Sequence, residues 1–374
     1  MTSTAAADRT RVGILFGGRS SEHSISLITA HGVLGVLDQT RYEPVLIGIT
    51  EDGAWHLSSI EELEAIIASE ALAHFPGQGP RVTLPMGGGR GILLQDCREG
   101  LREGPALDVV LPLLHGPFGE DGTVQGLLEM ADLPYVGAGV AASAIGMDKH
   151  FMKMAFESAG LAVGPYRVIT ARDWSRDREG SLARARELEL PVFVKPARAG
   201  SSQGITRIDD WSELDGAIAV AQACDPKVVL ETGISGREIE CAVLDGRSHE
   251  RPRASLPGEI EVVGQGHAFY DFEAKYVEAE SSRLRCPADL PREVSDEIRG
   301  EAVRAFLAIG GEGLARADFF YTDEGRVLIN EINTLPGFTP SSMYRVMWGA
   351  TGLEYGELVD ELLTLALERP VGLR

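Results

Sequence analysis

The sequence predicts a mixed fold, with an α/β N-terminal part on a largely parallel sheet followed by two α+β lobes. Three observations carry that prediction. Short apolar runs alternate with helix-like stretches from residue 11 to residue 158, the pattern of strands joined by helical crossovers. Beyond about residue 160, four strand-like runs crowd around a single helix, which favours antiparallel pairing. Near the C-terminus, two apolar runs flank Thr322-Asp323-Glu324-Gly325 and read as a hairpin with a four-residue loop. The expected domains are residues 1–150, 151–254 and 255–374.

Taken in order, residues 11–16 (RVGILF) form a buried strand ending in Gly17-Gly18. A tight turn and a helix start follow at Arg19-Ser20-Ser21-Glu22, with serines available as caps. Residues 42–49 and 108–114 are further strands, the second opening into His115-Gly116-Pro117. Residues 122–130 form a short helix, and residues 139–158 a longer one stopped by Gly160. Residues 58–106 resist the pattern and read as an insertion with little functional content. The central part has strands at 191–197, 204–208, 227–230 and 237–244 and a helix from Trp211 to about Cys224. Residues 172–189 are rich in charge and read as a solvated helix face. A helix over 295–309, strands at 314–321 and 326–333, and terminal helices complete the chain.

The 374 residues are 44% hydrophobic and 24% charged, enough apolar surface for real cores and unlike disordered or fibrous chains. A net charge of −21 repels phosphate backbones and argues against nucleic-acid binding. An anionic ligand must then be held by locally placed cations, backbone N–H groups or a metal. Cys97, Cys224, Cys241 and Cys286 show no C-x-x-C spacing and read as reduced thiols of a cytoplasmic protein. The opening MTSTAAADRT lacks the apolar run of a signal peptide, and no stretch reaches membrane-spanning length.

The hairpin is the most informative segment. Pairing outward from its loop sets Arg316 opposite Glu331 and Asp318 opposite Ile329. Side chains recur on one face every two residues, so Arg316, Asp318, Glu331 and Asn333 share a side. Polar groups on apolar strands need partners. They form either an arginine–carboxylate pair or a Mg²⁺ site of hard oxygen ligands completed by phosphate and water. Asp318 and the loop that follows Asn333 favour the metal. Lys195 lies in a strand before Arg198-Ala199-Gly200-Ser201-Ser202-Gln203-Gly204, a small-residue loop able to cover phosphates with backbone N–H groups or to serve as a plain hairpin. Lys149, at the end of residues 144–149 (AIGMDK), reads by itself as a surface lysine. Glu22 at a helix start is either a dipole partner or a ligand group. His115 follows a strand end, where open α/β sheets place their sites, or is simply a satisfied histidine in a turn. Glu231 and Glu238 bracket a strand exit, as surface acids or as acceptors for a ribose.

Seven blocks occur in a fixed order: GGRSSEHSIS (17–26), HGPFGEDG (115–122), MDK (147–149), FVKPARAGSSQG (193–204), FYDFEAKY (269–276), ARADFF (315–320) and NEINTLPGFTPSSM (330–343). Together they closely resemble the D-alanine–D-alanine ligase family of the ATP-grasp superfamily. The resemblance runs from about Arg11 to Glu368 and implies a three-part ATP-grasp architecture. It implies ATP-dependent joining of two D-alanines through an acyl phosphate, releasing ADP and phosphate, for peptidoglycan. By resemblance, Lys149, Lys195 and Lys275 bind ATP phosphates, and Glu231 and Glu238 hold adenine and ribose. Asp318, Glu331 and Asn333 hold two Mg²⁺ ions, for which Mn²⁺ can substitute. Glu22 and His115 take the first D-alanine's ammonium, and Ser342 with Met343 the second D-alanine's carboxylate. Arg316 and the N–H of Gly337 stabilise the oxyanion, while Ser201 and Tyr276 link to Glu22 and latch a mobile loop. The resemblance also implies a cytoplasmic homodimer, with no nucleic-acid or membrane partner. Two rivals stand beside it: a D-alanine–D-lactate ligase, and a non-catalytic nucleotide-binding protein on the same scaffold.

Overall fold

The computed structural model describes residues 9–69, 74–85, 91, 93–97, 100–262 and 282–370. The chain forms two compact units. One comprises residues 1–140, 245–251 and 335–374; the other comprises 141–244 and 252–334. Among the described residues, no helix is long and apolar enough to cross a membrane.

The first unit is built on a four-stranded sheet in the order Trp55–Leu57, Tyr42–Ile49, Thr10–Gly17, Val109–Pro112. Thr10–Gly17 is central and pairs in parallel with both neighbours. Its near-continuous apolar run is what a strand buried on both faces requires. Only Trp55–Leu57 pairs antiparallel, at the edge. The segment read as an insertion is more ordered than its sequence suggests. It carries the helix Ile60–Ser69 and a small sheet of Val82–Thr83, Leu94–Cys97 and Gly100–Glu103. Val82, Leu84 and Leu93 join the same core as Leu15, Ile47 and Val110. The C-terminal helix Tyr355–Glu368 also belongs here: its Asp360 is held by Arg41 and Tyr42, and its Glu368 by Arg247.

The second unit holds two sheets. In the first, the order is Thr206–Ile208, Val192–Pro196, Val228–Thr232, Tyr166–Ile169, all antiparallel. Helix Leu214–Cys224 packs its Leu214, Ala217, Ile218 and Ala221 onto this sheet. The second sheet runs Ser282–Arg285, Gly258–Val262, Gly236–Leu244, Leu314–Thr322, Val327–Asn333, with Arg253–Ala254 beside Gly236–Leu244. Strand Gly236–Leu244, grouped by sequence spacing with the central lobe, therefore pairs with the C-terminal hairpin. This sheet crosses the boundary expected near residue 254.

Two details differ from the sequence reading, each for a local reason. The single helix expected over 139–158 is two helices, Val140–Met147 and Lys149–Ser158. Asp148 separates them: its backbone is extended and its carboxylate caps the second helix, accepting from the N–H groups of His150 and Phe151. The hairpin register also shifts. Thr322 N–H donates to the Arg326 carbonyl and Gly325 N–H to that of Thr322, so the loop has three residues. Gly325 occupies the left-handed position (φ +78°) that such a loop needs. A β-bulge at Asn330 adds a second offset, leaving Arg316 opposite Asn333 and Asp318 opposite Glu331. The four polar side chains still share one face, but in a different pairing.

Asp148 is buried and is also ion-paired with Lys227. Asp148→Ala is expected to lower unfolding free energy by about 1–2 kcal/mol from the lost cap alone, with a further loss from the stranded Lys227. Urea unfolding checks this; an unchanged midpoint would mean the helix break does not depend on Asp148.

Candidate active site

In the second unit, Lys195 lies opposite Val229, and Glu231 follows two residues along the same strand face. Lys195 Nζ donates to Glu231 Oε2 at 2.9 Å. The other carboxylate oxygen, Oε1, is 3.3 Å from Nζ of Lys153. Burial raises the Glu231 carboxyl, but Lys153 and then Lys195 outweigh it and pull it down to about 2. Burial also lowers the Lys195 ammonium, which Glu231 more than restores. Lys149 opens helix Lys149–Ser158, with its N–H on the Ala197 carbonyl and its Nζ on that of Ala199 at 2.9 Å. Burial holds the Lys149 ammonium below its ordinary range; Glu331 opposes that shift and Lys195 adds to it. Lys149, Lys195 and Glu331 thus lie within electrostatic reach of one another. Ser201 and Ser202 both adopt left-handed backbone (φ +47° and +58°) in the loop after Lys195. Glu238 adds to the field raising Lys195.

On the hairpin, Arg316 donates to both oxygens of Asp318 at 2.7 Å, and Asn333 Nδ2 donates to Asp318 Oδ2 at 3.0 Å. Glu240, on the neighbouring strand opposite Asp318, has Oε1 3.1 Å from Arg316 Nε. Burial lowers the Arg316 guanidinium, but Asp318 and Glu240 outweigh it and raise it well above its ordinary value. Among the described residues, no group of three or more His, Cys, Asp or Glu is gathered for a metal. The donors present are two cross-strand carboxylates and an amide, hard oxygen ligands suited to Mg²⁺ or Mn²⁺. They fit such an ion where part of its shell comes from elsewhere.

In the first unit, Ser26 Oγ accepts from Gly17 N–H and donates to the Leu113 carbonyl, tying together two strand ends beside the turn that carries Glu22. Glu22 is buried at the start of helix His23–Leu34, yet its carboxylate makes no cap. It lies against Gly116 instead. A Cβ there would sit 3.1 Å from Glu22 Oε2, and φ is +68°, so only glycine fits without strain. His115 is buried beside Glu22. Burial pushes its imidazole below the ordinary range, opposed by Glu22 and by a hydrogen bond to the Leu335 backbone. Its Nε2 is buried without a hydrogen-bond partner among the described residues. Ser342 precedes helix Met343–Thr351, and its Oγ accepts from Thr339 N–H at 2.9 Å. That leaves the Met343 end of a helix presenting backbone N–H groups, a favourable place for a carboxylate. Gly337 lies beside Ser342, where a Cβ would be 3.1 Å from Oγ. Lys275 and Tyr276 lie outside the described residues.

Residues 11–138 match the family described as D-ala D-ala ligase N-terminus, and residues 155–364 match D-ala D-ala ligase C-terminus. The chain belongs to the D-alanine–D-alanine ligase family. A D-alanine–D-alanine ligase of Kocuria rhizophila is 60% identical over 376 residues, spanning 100% of this chain and 98% of the relative. That of Paenarthrobacter aurescens is 56% identical over 373 residues, spanning 100% and 99%. Among solved structures, the D-alanine-D-alanine ligase from Coxiella burnetii matches with TM-score 0.81 at 33% identity, covering 97% of this chain and 95% of that one. The VanG D-Ala:D-Ser ligase from Enterococcus faecalis matches with TM-score 0.82 at 32% identity, covering 96% and 99%. The chain is thus an ATP-dependent ligase of cell-wall synthesis with the ATP-grasp fold.

Two polar residues of this ligase escape the sequence reading. Lys153 lies four residues after Lys149, between the buried Met152 and Phe156, so a lysine there stands on an inward helix face. Glu240 follows Glu238 by two residues and shares its strand face. Both positions carry a signal of period, a charge where the apolar pattern calls for none.

Glu231 yields a pH prediction. Its folded carboxyl lies near 2 against an ordinary 4.5, so its contribution to stability is complete above the unfolded value. It disappears as pH falls from about 4.5 toward 2. The melting-temperature gap between wild type and Glu231→Gln should therefore narrow on acidification over that window. A gap independent of pH would mean that Glu231 is not held ionised.

Proposed function

We propose that the chain joins two D-alanines to D-alanyl-D-alanine at these residues, with ATP activating the first carboxylate. The observation that carries the reading is the gathering of Lys149, Lys195, Glu331, Asp318 and Arg316 in one unit, cations for phosphate beside hard-oxygen ligands. Lys149 and Lys195, with Lys275, would neutralise the phosphates. Glu231 and Glu238 would accept hydrogen bonds from the adenine amine and the ribose hydroxyls. Asp318, Glu331 and Asn333 would hold two Mg²⁺ ions, with Mn²⁺ able to replace them; the ions would spread charge on the transferring phosphoryl group.

A carboxylate is a poor electrophile, and phosphorylation gives it a leaving group. Glu22 would pair with the first D-alanine's ammonium. His115, kept neutral by burial, would offer that ammonium an imidazole nitrogen lone pair without adding a second positive charge. The helix start at Ser342 and Met343 would hold the second D-alanine's carboxylate. When its amine attacks the acyl phosphate, negative charge grows on the carbonyl oxygen. Arg316 and the N–H of Gly337 would stabilise that charge. Ser201 and Tyr276 would close a loop that keeps water from the acyl phosphate. A cytoplasmic homodimer that engages neither nucleic acid nor membrane completes the reading, supported by the acidic net charge and the family resemblance.

The test is incubation of the purified protein with ATP, Mg²⁺ and D-alanine. One D-alanyl-D-alanine is expected for each ADP and phosphate released. ATP binding without D-alanine-dependent phosphate release would overturn the reading. An equimolar D-alanine/D-serine/D-lactate mixture should still give D-alanyl-D-alanine as the main product; predominance of a mixed product would reassign the second substrate. Arg316→Lys keeps the charge but loses the paired N–H groups. It should lower kcat about 10²–10³-fold, the usual effect of removing an oxyanion donor, with the KM for ATP nearly unchanged. A change confined to that KM would remove Arg316 from the oxyanion role.

A further inference from the structure

Lys153 is a buried charge to which the reaction above gives no part. Its side chain is 2% exposed, and an ammonium so enclosed is costly unless each of its surroundings is favourable. Nζ is 3.3 Å from Glu231 Oε1 and 3.5 Å from the carbonyl oxygen of Asn330, the bulged residue of the hairpin. The ring of Tyr166 lies 5.7 Å away on another side, within cation–π range. Glu231 therefore has a lysine on each oxygen, and the two lysines differ. Lys153 is anchored to main chain and ring as well as to the carboxylate. Lys195 comes from a strand that leads into the Arg198–Gly204 loop, and its side chain is 15% exposed.

A lysine that serves a phosphate must be able to leave its resting partner. Were Lys195 the sole counter-ion of Glu231, turning it toward ATP would strand a buried carboxylate, and nucleotide binding would have to work against that. With Lys153 in place, Glu231 remains paired after Lys195 leaves. We propose that Lys153 is a positioning residue for nucleotide binding: the permanent counter-ion of Glu231, which frees Lys195 to take an ATP phosphate. The inference rests on the nucleotide reading given above and deepens it. Lys153 contacts Glu231 and would act on the nucleotide only through it.

The test measures ATP affinity calorimetrically, together with KM and kcat, for wild type, Lys153→Met, Lys153→Arg, Glu231→Gln and the Lys153→Met/Glu231→Gln double variant. Lys153→Met should weaken ATP binding by about 5- to 150-fold, the ordinary range for coupled groups, with kcat at saturating ATP changed far less. Lys153→Arg, which keeps the counter-ion, should recover most of the affinity. Adding Glu231→Gln to Lys153→Met should weaken binding less than Glu231→Gln does in wild type, because the carboxylate that traps Lys195 is then gone. If Lys153→Met does not fold, Lys153→Gln takes its place in the same cycle. Unchanged ATP affinity and KM with only a lower melting temperature would overturn the proposal, as would strictly additive effects. Failure of wild type to bind ATP would sink the nucleotide reading itself, a different result from a wild type that binds and a Lys153 variant that binds equally well.

Discussion

The buried Lys153 and Glu231 and the half-buried Lys149 and Lys195 must all find partners in one unit, and the helix Lys149–Ser158 is built around that demand. Its start is fixed by Asp148, which caps it and pairs with Lys227. Lys149 holds the Ala197 and Ala199 carbonyls before the serine loop. One turn on, Lys153 reaches Glu231 in one sheet and the Asn330 carbonyl in the other. Removing one partner of a buried pair typically costs about 3–5 kcal/mol, because the other charge is left behind. The relative placement of the two sheets in this unit is therefore set by charge as much as by apolar packing.

The same helix and the segment just beyond it resolve a second difficulty. Val327–Asn333 is the last strand of its sheet, and an edge strand with unpaired N–H and C=O groups invites foreign pairing. Here Ile329 N–H donates to the Ala162 carbonyl, Ile332 N–H to Met152 Sδ, and the Asn330 carbonyl accepts from Lys153. The bulge at Asn330 is thereby satisfied rather than merely tolerated. It sets Glu331 opposite Asp318, two like charges whose closeness is unfavourable unless a cation lies between or beside them. Arg316 meets part of that demand, and Glu240 in turn steadies Arg316.

Much of this was legible in the chain. The strand Tyr42–Ile49 and the two arms of the hairpin follow from apolar runs and turn residues, because hydrophobic period is a local property. The shared face of Arg316, Asp318, Glu331 and Asn333 follows from strand period alone. Their pairing does not, because it depends on a three-residue loop and a bulge whose carbonyl is satisfied by a lysine some 177 positions away. The helix break at Asp148 was hidden because Asp148 lies inside an otherwise helical stretch, and its cap is visible only once Lys227 and the helix N–H groups converge on it. The return of residues 335–370 to the first unit was equally out of reach, since Arg41, Tyr42 and Arg247 announce nothing about Asp360 or Glu368. Individual functional residues gained meaning from the ordered set of seven motifs. Lys153 belongs to none of those assignments and emerged only from its surroundings.

The first unit shows the complementary use of charge. A protein with a net charge of −21 repels anions at long range, so recognition must come from groups that act at contact. Glu22 occupies a helix start but does not cap it, and Gly116 leaves its carboxylate room. Burial outweighs the pull of Glu22 and holds the His115 imidazole below its ordinary range, so the local charge stays negative, as the proposed ammonium site requires. At Ser342 the logic is inverted: the hydroxyl is engaged by Thr339, and the helix dipole at Met343 offers partial positive charge without a cation. In the proposed reaction this unit would thus meet the first D-alanine by its ammonium and the second by its carboxylate, with one group of each complementary sign.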